Sequence, residues 1–65
     1  MAHTAKLNFY GDTPTERNKL FSFNVNNEAD AKAGVKRFEK EGIHIRAAYF
    51  TIYENTLIRH SKRIK

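Results

Sequence analysis

The chain has 65 residues, a mass of 7.6 kDa, no cysteine and a formal net charge of +5. At this length we expect a single domain over residues 1–65 with a thin core, because chains of about 60 residues bury only roughly 60% of their unfolded surface. The lack of cysteine excludes a disulfide framework and a cysteine-ligated zinc site. Hydrophobic residues make up 40% of the chain, too many for a disordered segment of such modest net charge.

The sequence contains no apolar run of about 18 residues, the minimum for a membrane-spanning helix. Its first seven residues, MAHTAKL, lack the apolar core of a secretion signal. We therefore expect a cytoplasmic protein that does not bind a membrane.

Alternation of apolar and polar residues predicts two strands in the first half of the chain, at about residues 5–10 and 19–26. Gly11 and Pro14 lie between the two strands and interrupt the alternation. The pair is predicted to form the first antiparallel hairpin.

A helix is predicted over residues 28–41, with Asn26-Asn27 supplying its N-cap and Gly42 its stop. Its buried stripe contains a glycine, Gly34, and a glycine within a helix costs about 1 kcal/mol relative to alanine. We interpret Gly34 as the place where the helix lies close to the sheet.

The second half of the chain predicts two more strands, at residues 43–53 and 57–63. The apolar positions of the first of these change phase midway, which predicts a β-bulge near Arg46–Ala48. Asn55 suits the turn between the strands because asparagine tolerates positive φ. Ile58 is the predicted core residue of the last strand.

The resulting fold class is α+β, with a β-β-α-β-β order. One helix packs on one face of a four-stranded, mainly antiparallel sheet. The predicted core consists of Leu7, Phe9, Phe21, Phe23, Val25, Ala31, Val35, Phe38, Ile43, Ile45, Phe50, Ile52 and Ile58.

The whole net charge lies in the second half of the chain. Residues 1–33 have equal numbers of basic and acidic residues, whereas residues 34–65 contain eight basic and three acidic ones. Such asymmetry favours an anionic partner. A basic tail that keeps a small protein in solution is the alternative.

A single helix covers only one sheet face, so the other face is either solvated or binds a partner. The strand phases place all three tyrosines there, among polar and basic residues: Lys6, Asn8, Tyr10, Ser22, Asn24, Tyr49, Thr51, Tyr53, Arg59, Ser61 and Arg63. Aromatic and basic side chains together favour single-stranded nucleic acid. The same residue types also occur on ordinary exposed strands and at homodimer interfaces.

The predicted helix also has a basic stripe, which fits either phosphate contact or a solvated helix face. The expected binding residues are therefore, first, Tyr49, Tyr53, Arg59, Lys62 and Arg63 and, second, the stripe of Lys32, Lys36 and Lys40.

These features predict a small basic nucleic-acid-binding protein without enzymatic activity, metal or cofactor. The alternative is a protein-binding module, such as a phage or mobile-element accessory or anti-CRISPR-like inhibitor, acting on a host protein or nucleoprotein complex. The basic charge favours the first, because a protein that blocks a nucleic-acid-binding surface is more often acidic. An RNase-like enzyme would need His60 to pair with His44 or Glu54 as acid and base.

Overall fold

The computed structural model describes residues 3–65. The elements are β1 (His3–Asp12), β2 (Lys19–Asn24), α1 (Glu28–Lys40), β3 (His44–Glu54) and β4 (Leu57–Arg63). All strand pairs are antiparallel, and the order across the sheet is β2-β1-β3-β4. Helix α1 packs on the two central strands, β1 and β3. The predicted α+β fold with β-β-α-β-β order is confirmed.

Local sequence signals fix both ends of α1. The Asn27 side chain accepts a hydrogen bond from the Asp30 N–H at 2.8 Å, which caps the first turn. After the helix, Gly42 has a φ of +99°, a conformation that glycine adopts without strain. Within residues 3–65, this 13-residue helix does not meet the length and hydropathy needed to cross a membrane.

Phenylalanine rings fill the space between the sheet and α1. Phe9 is fully buried, with its ring centroid 4.8 Å from that of Phe21 and 5.3 Å from that of Phe38. Phe23 stacks on Phe38 at 4.9 Å but is 41% exposed, so this predicted core residue lies at the margin of the core. The buried hydrophobic residues are Leu7, Phe9, Ala31, Val35, Ile45, Ala48 and Phe50.

Gly34 marks the closest approach of α1 to the sheet. A Cβ atom added there would lie 3.1 Å from Cδ2 of Leu7, tighter than ordinary van der Waals contact. The close packing predicted from the position of this glycine is confirmed.

A bulge in β3 keeps its apolar residues facing the helix. Tyr10 pairs with Ala47 and Gly11 pairs with Ile45, which leaves Arg46 as the extra residue. The Arg46 Nε donates to both carboxylate oxygens of Asp12, at 3.0 and 3.2 Å. The bulge predicted near residues 46–48 is confirmed.

A second bulge, in β4, overturns one core prediction. Ile52 pairs with His60 and Tyr53 pairs with Ile58, so Arg59 is the extra residue. The slip turns Ile58 to the face opposite α1, where it is 62% exposed. The prediction that Ile58 lies in the core is wrong, and Ile64, just after β4, packs against the core instead.

Two substitutions of isoleucine by alanine test which isoleucines lie in the core. Ile45→Ala should lower the free energy of unfolding by about 2–5 kcal/mol, because Ile45 is 2% exposed. Ile58→Ala should cost about 1 kcal/mol or less, since it changes only an exposed strand position. Urea denaturation of both variants measures the difference. Equal losses would mean that Ile58 is a core residue and that the β4 register is incorrect.

Candidate nucleic-acid interface

The sheet face opposite α1, here called the open face, contains all three tyrosines. Tyr10, Tyr49 and Tyr53 lie at strand positions that alternate with the buried residues of β1 and β3. They border a shallow groove of about 450 Å³, whose other lining residues are Asn8, Leu20, Ser22, Thr51, Ile58 and Ser61. The groove therefore combines aromatic walls with polar groups that come from all four strands.

Hydrogen bonds between neighbouring strands hold the polar side chains of the groove. The Asn8 Nδ2 donates a hydrogen bond to the Tyr53 hydroxyl at 3.0 Å, and the Asn8 Oδ1 accepts one from the Ser22 hydroxyl at 2.6 Å. On the other side of the groove, the hydroxyls of Thr51 and Ser61 are 3.1 Å apart. The bonds of Asn8 join β2, β1 and β3 and hold the Tyr53 ring in place, and the contact of Thr51 with Ser61 joins β3 and β4.

Two cations lie next to the tyrosines on the open face. The Lys6 Nζ is 5.9 Å from the centroid of the Tyr53 ring, within the range of a cation–π contact. Arg63 lies directly opposite Tyr49 in the register of β3 and β4. None of the residues lining the groove is acidic. A negatively charged ligand would therefore meet two positive groups beside the rings.

Most other basic residues are neutralised locally by a carboxylate. Among residues 3–65, every acidic residue except Asp30 forms an ion pair. Over the same residues, the cations without an ion-pair partner are Lys6, Arg17, Lys36, Lys40 and Arg63. Two of these lie on the open face and two on α1, so the surplus positive charge is divided between the two sides of the sheet.

The basic residues of β4 do not act as one group. Arg59 pairs with the Glu54 carboxylate at 3.0 Å. Lys62 lies opposite Phe50, whose side chain packs under α1, and its Nζ is 3.1 Å from the Glu28 carboxylate. Lys62 thus lies on the helix side, away from the tyrosines with which the sequence grouped it. Of the three basic residues chosen in this strand, Arg63 is the one that lies on the tyrosine side without an Asp or Glu partner. Its Nε donates to the Lys65 carbonyl oxygen at 2.7 Å, which leaves the terminal N–H groups of the guanidinium for a ligand.

The lysine stripe of α1 forms a separate surface. Lys32 shares the Glu28 carboxylate with Lys62, at 3.2 Å. Lys36 and Lys40 are exposed and form no ion pair within the described part of the chain. Because α1 packs on the other face of the sheet, this stripe and the tyrosine groove cannot contact one compact ligand together.

The strand phases in the sequence place Lys6 and Tyr10 on the open face, but neither is among the expected binding residues. Their alternation with Leu7 and Phe9 along β1 was the signal available for finding them. Leu20 and Ile58 were not expected in the groove, and only the strand register places them there.

His44 and His60, one of the acid–base pairs considered for an RNase-like enzyme, lie far apart along the sheet. His44 lies opposite Asp12, and His60 lies opposite Ile52. His44 and Ile52 are eight positions apart on β3, a separation of about 26 Å at roughly 3.3 Å per residue. Glu54, the other candidate partner of His60, is bound by Arg59. Across residues 3–65, no three His, Asp or Glu side chains cluster as metal ligands.

Comparison of the chain with protein-family models, with curated proteins and with solved structures finds no match. Only the arrangement of the side chains therefore points to a function. The open-face groove is the strongest candidate site because it combines aromatic rings and hydrogen-bonded polar groups and has Lys6 and Arg63 beside it on the same face.

Titration of Glu28 tests the ion pair that holds Lys62 on the helix side of the sheet, away from the groove. The ammonium of Lys62 and, to a smaller extent, that of Lys32 lower the pKa of Glu28 below its ordinary value of 4.5. A lowered carboxyl pKa stabilises the fold above about pH 4.5, and this contribution is lost as pH falls through the lowered pKa.

We therefore expect Lys62→Met to raise the pKa of Glu28 more than Lys32→Met does, as measured by NMR of the side-chain carboxyl carbon. The Lys32 variant is the matched control, because it removes one ammonium from the same carboxylate. A Glu28 pKa that is unchanged in the Lys62 variant would place Lys62 elsewhere.

Proposed function

We propose that this protein binds single-stranded nucleic acid on the open face of its sheet. One observation supports the proposal: three tyrosines line a groove that has no acidic lining residue, and two cations without an Asp or Glu partner, Lys6 and Arg63, lie beside them on the same face. Tyrosine rings stack on bases irrespective of sequence, and lysine and arginine bind phosphates. Together these groups can hold a short stretch of unpaired nucleotides against the sheet.

The geometry favours a single strand over a duplex. In a duplex each base face is covered by its neighbours, so a tyrosine ring can stack only on bases that are already separated. Tyr49 and Tyr53 are four residues apart on β3, a separation of about 13 Å at roughly 3.3 Å per residue. Tyr10, on the neighbouring strand, lies diagonal to Tyr49. The three tyrosines thus belong to one face of two neighbouring strands, a surface that suits an extended strand.

The rest of β4 has an indirect role in this proposal. Arg63, whose Nε is bonded to the Lys65 carbonyl, supplies the phosphate contact beside Tyr49 through its remaining N–H groups, whereas Arg59 and Lys62 are paired with Glu54 and Glu28. The paired residues therefore add little to direct contact. The net charge of +5 still attracts a polyanion and raises the rate of encounter at low salt.

Two substitutions of one tyrosine test the stacking contribution. Tyr49→Ala should weaken binding of a fluorescent single-stranded oligonucleotide by about 1–3 kcal/mol, which is roughly 5- to 150-fold. Tyr49→Phe keeps the aromatic ring and should bind within about twofold of the unchanged protein. Fluorescence anisotropy at low salt gives both affinities. If both variants bind as the unchanged protein does, Tyr49 does not stack on the ligand.

Two charge-neutralising variants test which face binds phosphate. Arg63→Gln should reduce the slope of log affinity against log salt by about 0.7, the value for one phosphate contact on a single strand. Lys40→Gln removes the same charge from α1 and should leave the slope unchanged. Equal slope changes in both variants would contradict a specific role for the open face and indicate general attraction by the net charge.

A protein partner of the accessory or inhibitor class is the second candidate for the same groove. Leu20 is 55% exposed and Ile58 is 62% exposed, and both border the tyrosines. Apolar side chains of this size are common at protein interfaces and contribute little to phosphate binding. If the protein binds no oligonucleotide at low salt, the nucleic-acid proposal fails, and pull-down partners that remain bound at high salt would support this second candidate.

A further inference from the structure

The two edges of the sheet differ in how well they are protected against pairing with another strand. Edge strand β4 has a bulge at Arg59 and a basic run that ends at Arg63, both of which discourage the approach of a further strand. Edge strand β2 has no charge, proline or bulge from Leu20 to Asn24, and its register with β1 is regular. The β2 edge is therefore an unprotected site for β-strand addition.

One hydrogen bond reveals which backbone groups of β2 are free. The Val25 N–H donates to the Ala5 carbonyl at 3.0 Å, so this residue directs its backbone groups towards β1. In an antiparallel ladder the direction alternates from residue to residue. With the regular register of β1 and β2, the outward N–H and C=O groups belong to Leu20, Ser22 and Asn24.

We infer that β2 pairs antiparallel with β2 of a second copy of this chain, with Ser22 on the two-fold axis. In this register Ser22 faces Ser22 of the partner subunit, and Leu20 faces Asn24 of the partner subunit. All three resulting pairs use outward backbone groups, which gives about six hydrogen bonds at two for each pair. No shift of the strands is needed to match donors with acceptors.

The same register also brings phenylalanine side chains of the two copies together. Phe21 faces Phe23 of the partner subunit at a non-hydrogen-bonded pair, where opposing side chains come closest. Phe23 is 41% exposed and borders a groove whose lining includes Gly34 and Phe38. A second copy would cover this ring with another aromatic ring on each side of the two-fold axis.

The lack of charge from Leu20 to Asn24 makes the β2 edge the place where two copies can meet with the least repulsion. Two molecules of net charge +5 repel each other, so they associate most easily through an uncharged surface. The strand from Leu20 to Asn24 is uncharged, and in the inferred register Lys19 faces Val25 of the partner subunit, not a second lysine. The pairing joins two four-stranded sheets into one and leaves the tyrosines of both copies on the same side.

A proline placed on the outward edge tests this inference. Ser22→Pro removes an outward N–H while retaining the hydrogen bonds between β2 and β1. Ser61→Pro is the matched control on the other edge: the Ile64 N–H donates to the Ala48 carbonyl at 2.8 Å, so by alternation the Ser61 N–H also points outward. Each serine also has one side-chain bond to a neighbouring strand, to Asn8 and Thr51 respectively.

Sedimentation equilibrium should give twice the 7.6 kDa chain mass for the unchanged protein and for Ser61→Pro, and the single chain mass for Ser22→Pro. Circular dichroism establishes that the variants are folded. A monomeric unchanged protein, or a Ser22→Pro variant that dimerises equally well, would overturn the inference.

Amide hydrogen exchange of the unchanged protein decides the question even if Ser22→Pro does not fold. The outward amides of Leu20, Ser22 and Asn24 should become protected as protein concentration rises, whereas the Ser61 amide on the other edge should exchange rapidly throughout. Rapid exchange of all three β2 amides at every concentration would overturn the inference, whether or not the protein binds nucleic acid.

Discussion

The burial of Phe9 between the sheet and α1 is the interaction on which the rest of the structure depends. This ring is inaccessible to solvent and contacts Phe21 from β2 and Phe38 from α1, which joins the first hairpin to the helix. Within residues 3–65, one helix packs against this core, on one face of the sheet. The opposite face of β1 therefore remains uncovered, and its alternate residues, including Tyr10, line the open groove.

Two single-residue bulges decide which side chains reach each face. The extra Arg46 restores the apolar phase of β3, so that Ile45 and Ala48 both lie under α1. The extra Arg59 has the opposite consequence in β4, because it moves Ile58 onto the open face. The C-terminal charge, continuous along the sequence, is thereby divided between the two sides of the sheet.

The fold was predictable from sequence because several signals agreed: strand alternation, the Asn27 cap, Gly42 and the change of phase in β3. The tyrosine face followed from the same alternation. The β4 phase was not predictable, since only Leu57 and Ile58 are apolar within that strand and two adjacent residues define no alternation. The contact of Lys62 with Glu28 joins residues 34 positions apart, which sequence spacing alone does not reveal.

We propose that the open face, and not the helix stripe, is the binding surface. NMR chemical-shift mapping with a short single-stranded oligonucleotide tests it most directly, because it locates contact residue by residue. The account predicts that the largest amide shifts occur at Lys6, Tyr49, Tyr53 and Arg63, with little change at Lys36 and Lys40. Shifts concentrated on α1, or no shifts at low salt, would contradict it.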